Sequence, residues 1–441
     1  MDRDQLIDLT RRALKLARDK TTDLAPTEQT VDARDYTSVE RHERERAMLM
    51  ASPQLVGYVS ELPEPGSYCT KTVMGRSILL TRTSGGTVKA FNNVCLHRQS
   101  QVVSGCGTAK RFSCPYHAWT YDNTGRLVGV PGREGFPGVA VKSDGLTELP
   151  AAEFAGFLWI ALDSGATLDV AAHLGSLADE LDSWGIGRWS PLGEKVLDFP
   201  INWKLAVDTF SENYHFATVH RETFAKIARS NCTVFDEYGA HHRLIFPLNS
   251  ILELENIPED QWDPFHNMVV IYALFPNIVL SVTIANGELF RIYPGDKPGR
   301  SITVHQNSTP LDLSDESVAA GARAVFDYAH ATVRDEDYRL AAKLQANLES
   351  GAHDHLLFGR NEPGCSTATA AGTTPSPVSF VGRVPAPHRA PTRGTAPASV
   401  RRTRTRPPLL RAGFLDSGTD PPYIRSAANE PGRPPTAPGE F

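Results

Sequence analysis

The chain is poor in cysteine, in long apolar runs and in excess positive charge, and each shortage excludes something. Six cysteines in 441 residues are too few for a disulfide scaffold, so stability must come from an apolar core. The longest apolar run, residues 268–280, is interrupted by Pro276 and Asn277 and is too short to cross a bilayer. No charged-then-apolar leader opens the chain, so a cytoplasmic protein without a membrane partner is expected. Lys and Arg number 45 against 51 Asp and Glu, a net charge of −6. That balance offers no basic face, and no nucleic-acid partner is expected. What remains, 41% hydrophobic and 22% charged residues, is ordinary for a soluble globular chain long enough for two domains.

Two of the scarce cysteines stand beside histidines. Cys95-Leu96-His97 is followed, after sixteen residues, by Cys114-Pro115-Tyr116-His117-Ala118-Trp119. Two thiolates and two imidazoles suit either tetrahedral zinc or a [2Fe–2S] cluster with two sulfur ligands on one iron and two nitrogens on the other. A zinc finger usually presents both Cys before both His, whereas each segment here supplies one of each. The cluster is therefore the expectation, with a zinc knuckle as the alternative. A reducing cytosol would leave Cys95 and Cys114 free for metal. Cys106, between the pairs, is read as a structural loop thiol outside the site, Cys69 as a core residue, and Tyr116 and Trp119 as aromatic cover.

A second constellation lies in residues 202–220. On a helix, Asp208, Glu212 and His215 fall at i, i+4 and i+7, one polar stripe that is costly to bury without a metal. His220 lies five residues past His215, so the helix must end or distort for both imidazoles to reach one ion. Iron(II) that activates O2 typically takes two His and one carboxylate. Asp335, Glu336 and Asp337 open an apparent helix, and spacing does not choose among them. Acids in a first helical turn have an ordinary electrostatic explanation.

Together, Cys-x-His…Cys-Pro-Tyr-His-x-Trp and Glu-x-x-His-x-x-x-x-His resemble the Rieske non-haem iron ring-hydroxylating oxygenases, large (alpha) subunit, over roughly residues 35–364. The resemblance implies a [2Fe–2S] cluster, one per subunit, held by Cys95, His97, Cys114 and His117. It also implies one Fe(II) per subunit held by His215, His220 and Asp337, the last because Glu336, Asp337, Leu340 and Gln345 match the family's Glu-Asp-x-x-Leu…Gln pattern. Glu212 takes the position of the acid that, in the family, connects the first iron His to a cluster His of the neighbouring protomer in a trimer. The implied activity is O2-dependent hydroxylation of an aromatic or other apolar organic substrate. Electrons would come from an NAD(P)H-dependent reductase, in some members through a ferredoxin, and some members carry a small β subunit. Ala118 stands where the family more often has Gly, a departure expected to cost little. Two rival readings stay open: a Rieske electron carrier, and a zinc-stabilised binding protein.

The rest of the chain fits an α+β reading. Residues 2–19 place Leu6, Leu9, Ala13 and Leu16 on one helical stripe, and a second helix is expected over residues 40–46; both belong to an N-terminal arm, 1–50. Short apolar runs with Gly turns predict a small all-β sandwich over 51–165. After a linker helix near residues 174–184, the strands of 230–310 and the helices of 202–220 and 315–350 predict an antiparallel sheet with flanking helices, of the helix-grip type by resemblance, over 166–364. His241, His242, His266 and His305 are read as ordinary strand histidines. Phe210, Phe216, Tyr272, Phe275 and Phe290 are candidate pocket lining or core. Residues 365–441 hold 14 of the 32 prolines and ten Arg but no Lys, which predicts a disordered, frameshift-like tail.

Overall fold

The computed structural model describes residues 1 and 3–365; apart from Cys365, the expected tail lies outside the described residues. The small domain is built from three antiparallel sheets. The largest runs in the order Glu148–Leu149, Val88–Asn92, Arg76–Arg82, Ser67–Val73, Cys106–Thr108. Its central hairpin shows how local sequence sets the register. Val73 pairs with Arg76, and the two residues between them, Met74 and Gly75, have φ of 50° and 80°, the double left-handed turn that matches strand twist. A three-stranded sheet of Ala151–Phe154, Phe157–Ile160 and Gln54–Tyr58 closes the domain. The third, Arg111–Ser113, Thr120–Asp122 and Leu127–Gly129, carries the second Cys-His pair in its first turn.

One cysteine reading needs correction here, that of Cys106 as a loop thiol, whereas Cys69 is buried in the core as expected. Cys69 and Cys106 are directly opposed on neighbouring strands and form a disulfide across 37 residues. Neither is a free thiol. The pairing depends on a three-residue strand, too short to leave a periodic signal in sequence.

The large domain is a seven-stranded antiparallel sheet, ordered Ser190–Phe199, Ser301–Thr309, Gly287–Pro294, Ile278–Val282, Met268–Leu274, His241–Pro247, Val234–Tyr238. It is a meander except that its first strand pairs with its last. One face packs on the helices Trp203–Asp208, Glu316–Thr332 and Arg339–Ser350 through Phe246, Ile271, Phe290 and Val333. The opposite face is covered by the N-terminal helix Arg3–Asp19, whose stripe of Leu6, Leu9, Ala13 and Leu16 is buried with Ile245, Val270 and Leu280. That helix is therefore a cover of the large domain and not a separate arm. Among the described residues, no helix is long and apolar enough to cross a membrane.

The second N-terminal helix, Val39–Ala51, starts where Ser38 Oγ accepts from Arg41 N at 3.2 Å. It carries charge into the core. Glu45, 3% exposed, accepts from Lys204 Nζ at 2.7 Å, Trp203 Nε1 at 2.8 Å and Arg41 Nε at 2.9 Å. This cluster ties the start of the site-bearing segment to the N-terminal region, because Lys204 and Trp203 open the helix Trp203–Asp208.

Candidate metal centres

The segment 202–220 does break as its spacing requires. Helix Trp203–Asp208 begins where Asn202 Oδ1 accepts from Lys204 N at 2.9 Å, and a second short helix, Phe216–Val219, follows with His215 at its N-cap and His220 at its C-cap. The break turns both imidazoles inward. His215 Nε2 and His220 Nε2 lie 3.2 Å apart, and Asp337 Oδ1 is 3.3 Å and 3.1 Å from them. Cis ligands at bond lengths of ~2.1 Å stand ~3.0 Å apart, so these three atoms already occupy one face of a coordination sphere. Among the described residues no other three His, Cys, Asp or Glu atoms come within 4.8 Å of one another.

Each imidazole is oriented by an acid behind it. His215 Nδ1 donates to Glu212 Oε1, while Glu212 Oε2 accepts from the N–H groups of Tyr214 and His215. His220 Nδ1 donates to Glu336 Oε2 at 2.6 Å, and Thr223 Oγ1 donates to the same oxygen at 2.7 Å. Both Nε2 atoms are thus left for a metal. Burial pushes the His215 imidazole down, but its bonds to Asp337 and Glu212 raise it to about 10. Burial also pushes the Asp337 carboxyl up, yet the two histidines hold it below its ordinary value. A buried site of this polarity favours a cation, and its donors fit iron(II).

Glu336 is where the expectation fails. It is not an ordinary acid of a first helical turn, because residues 316–350 form a nearly continuous helix with a π-helical segment, Val333–Tyr338, in its middle. The wider turn lets sequence neighbours Glu336 and Asp337 both reach the histidines. Asp335, also in mid-helix, stays out of the site and is paired at the surface with Arg334 and Arg339. Asp208 does not join the metal stripe either. It is buried beside Tyr36, whose hydroxyl donates to Oδ2 at 3.0 Å, and burial pushes its carboxyl up to about 8.

The Cys-His pairs form a different kind of site. Cys95 and Cys114 are buried and unpaired. Tyr121 Oη lies 3.2 Å from Cys95 Sγ and accepts from Leu96 N at 3.0 Å. Burial pushes the Cys114 thiol up, but the N–H groups of Tyr116 and His117, with Cys95 and Ser100, outweigh it and lower it. The imidazoles of His97 and His117 sit outside the thiols, centroids 4.5 Å apart, with Trp119 stacked on His97 at 5.0 Å. His97 Nδ1 is a buried nitrogen with no hydrogen-bond partner, as a ligand atom should be. No three of these four donors lie within 4.8 Å of one another. A single tetrahedral ion would draw all four inside that distance. Sulfur at one end and nitrogen at the other fits two irons instead. Ala118, beside His117, has φ of 56°, a left-handed conformation that costs a residue with a Cβ about 1 kcal/mol, more than its sequence position suggested.

Residues 52–143 match the Rieske [2Fe-2S] domain and residues 186–369 the ring hydroxylating alpha subunit catalytic domain. The chain belongs to the Rieske ring-hydroxylating oxygenase alpha subunits. It is 28% identical over 342 residues to the carnitine monooxygenase oxygenase subunit of Escherichia coli K12, covering 73% of this chain and 84% of that one. The corresponding Acinetobacter baumannii subunit is 34% identical over 189 residues, a match that spans about half (51%) of its length and 42% of this chain. Biphenyl 2,3-dioxygenase subunit alpha of Rhodococcus jostii is 30% identical over 196 residues, 43% of this chain and 42% of that one. In fold, the chain resembles a quaternary ammonium Rieske monooxygenase crystallised with L-carnitine, with a TM-score of 0.64, 23% identity, and coverage of 79% of this chain and 95% of that one. Alpha subunits of this family hold a [2Fe–2S] cluster and a mononuclear iron, which agrees with the two donor sets described above.

The Rieske-family chain has a cavity that opens onto His220 and Asp337, lined by Phe210, Phe216, Phe224, Phe290 and Tyr328. Of the candidate lining residues, Phe210, Phe216 and Phe290 are there. Tyr272 and Phe275 are not. Tyr272 points through the opposite face of the sheet, its hydroxyl bonded to Glu180 Oε1 at 2.6 Å, and Phe275 is tied to His241, whose Nδ1 accepts from Phe275 N at 2.9 Å. His241, His242, His266 and His305 supply nothing to either donor set.

Proposed function

We propose that this chain is the oxygenase component of a Rieske system, hydroxylating a small organic substrate with an apolar body in the Phe-lined cavity. One observation carries the reading: a single chain presents both a separated pair of Cys-His donors and a two-His, one-carboxylate face that opens onto an apolar cavity. When bound, a Rieske cluster supplies single electrons, and iron(II) with an open face supplies O2 activation. The chain's own residues do the rest. Glu212 and Glu336 fix the tautomers of His215 and His220, and the aromatic walls exclude water and hold the substrate against the open face. A cavity of about 150 Å³ suits a single ring or a short branched chain, since an engineered cavity of that size takes benzene. Electrons would come from an NAD(P)H-dependent reductase, directly or through a ferredoxin, in the cytoplasm.

Glu212 serves as the connection between centres. Its carboxylate already binds His215, and in a homotrimer the same carboxylate would take a cluster histidine of the neighbouring protomer, shortening the path between metals. Glu212→Gln should leave both metals bound yet slow electron transfer severely; unchanged transfer would remove the bridge. The reading as a whole is tested by reducing the cluster without air and then admitting O2. Rapid reoxidation in the wild type should slow at least about tenfold in Asp337→Ala, whose cluster spectrum should be unchanged. Equal rates would favour the electron carrier.

A further inference from the structure

The cavity contains one group that an apolar substrate does not need. Glu288, on the strand Gly287–Pro294 and opposite Ser281 across the register, lines the same space as His220 and Asp337. Its Oε1 is held in place: Asn286 Nδ2 donates to it at 3.1 Å and Asn307 Nδ2 at 3.4 Å, and the Asn286 side chain is itself held by the Thr283 hydroxyl. Oε2 is not so held. Its ion-pair contact is with His305 Nε2 at 3.9 Å, too long for a hydrogen bond. Nor does His305 supply a charge, because burial, His330 and Lys195 push its imidazole well below its ordinary value. It spends its Nδ1 on His330 at 3.3 Å and stacks on Phe290 at 4.0 Å. Lys195, which also acts on that imidazole, is committed to Asp327.

Among the described residues, the cavity therefore holds a rigidly placed carboxyl with no cationic side chain within hydrogen-bond distance. Burial pushes it up to about 7, with only the Asn286 bond opposing. Such a group is costly in an apolar space unless a ligand completes it. The walls point to what kind of ligand. Phe210 packs on Phe290 at 4.5 Å and Phe224 on Tyr328 at 6.2 Å, and aromatic faces beside a carboxylate attract cations that are too bulky and too weakly hydrated to need water.

We propose that Glu288 anchors the positive nitrogen of an alkylammonium substrate in this cavity, with the aromatic walls receiving its methyl and methylene groups. The proposal rests on the oxygenase reading and narrows its substrate to an organic cation with an apolar surface. Glu288 is then a specificity-determining residue: it holds the nitrogen on the sheet side of the cavity and so presents the substrate's carbons toward His220 and Asp337.

The test is calorimetric binding to the metal-loaded protein of two probes of the same shape, choline and its neutral isostere 3,3-dimethylbutan-1-ol. The wild type should bind choline at least about tenfold more tightly than the alcohol, and Glu288→Gln, which keeps the acceptor for Asn286 but not the charge, should abolish that preference. Equal affinities, a preference for the alcohol, or no binding of either by the wild type would overturn the proposal, whether or not the variant folds. A preference that survives in Glu288→Gln would overturn the role of this residue. Iron content measured on the same samples separates the two levels of the argument. Absence of the preference in the wild type with iron in place refutes the anchor alone, whereas a wild-type preference without iron supports the anchor and refutes the oxygenase.

Discussion

Replacing Glu336 by Ala should weaken iron(II) binding at the mononuclear site while leaving the cluster untouched. Glu336 Oε2 accepts from His220 Nδ1 at 2.6 Å and from Thr223 Oγ1 at 2.7 Å. A hydrogen bond to a charged group contributes about 1.5–3 kcal/mol. The Glu336 side chain is 25% exposed, so solvent screening favours the lower part of that range. About 1.5–2 kcal/mol corresponds to a loss of about 10- to 30-fold in affinity, within the range seen when the partner of a ligating histidine is removed. Glu336→Gln, which keeps an acceptor without the charge, should lose less. The assay is an anaerobic titration of iron(II) into protein with an intact cluster, its visible spectrum serving as the control for folding. Asp335→Asn is the matched control, since Asp335 pairs with Arg334 and Arg339 on the surface. The reasoning fails if Glu336→Ala binds iron as tightly as the wild type, or if Asp335→Asn weakens binding equally.

Two further predictions concern the frame that holds the site. Glu45→Ala strands Lys204, which is fully buried, and should cost about 3–5 kcal/mol of stability in urea unfolding; a loss below 1 kcal/mol would mean that the cluster contributes little. Asp208, with its carboxyl raised to about 8, stays protonated in the fold where the unfolded chain ionises. Between about pH 4 and pH 8 the native state then binds the extra proton, so this group makes stability fall as pH rises, by at most about 1.4 kcal/mol per unit. Asp208→Asn should flatten that slope in thermal unfolding of the metal-loaded protein, and an unchanged slope would contradict it.

What the sequence reveals depends on how local each feature is. Cys95-x-His97, Cys114-x-x-His117 and Glu212-x-x-His215 are readable because each donor and its neighbour lie within a few residues, on loops and a broken helix whose geometry the spacing limits. His220 even announces the break, because five residues do not fit one helical face. Asp337 needed a family pattern, since nothing near it in sequence distinguishes it from Asp335 or Glu336. The role of Glu336 was hidden by a π turn in mid-helix, which propensity does not signal, and its partner His220 lies 116 residues away. Tyr272 and Phe290 look alike as strand aromatics but face opposite sides of one sheet. Register decides between them, and register comes from pairing between strands. The Cys69–Cys106 bond, set by cross-strand pairing, is illegible in sequence for the same reason.

Metal and acid-labile sulfide analysis of the purified protein tests the central claim most directly, because it counts both sites without a substrate. Two irons with two sulfides at the Cys-His pairs and one iron at His215, His220 and Asp337 predict about three irons and two sulfides per chain, falling to about two irons in Asp337→Ala with sulfide unchanged. About two irons in the wild type would leave only an electron carrier, and zinc without sulfide would contradict both centres.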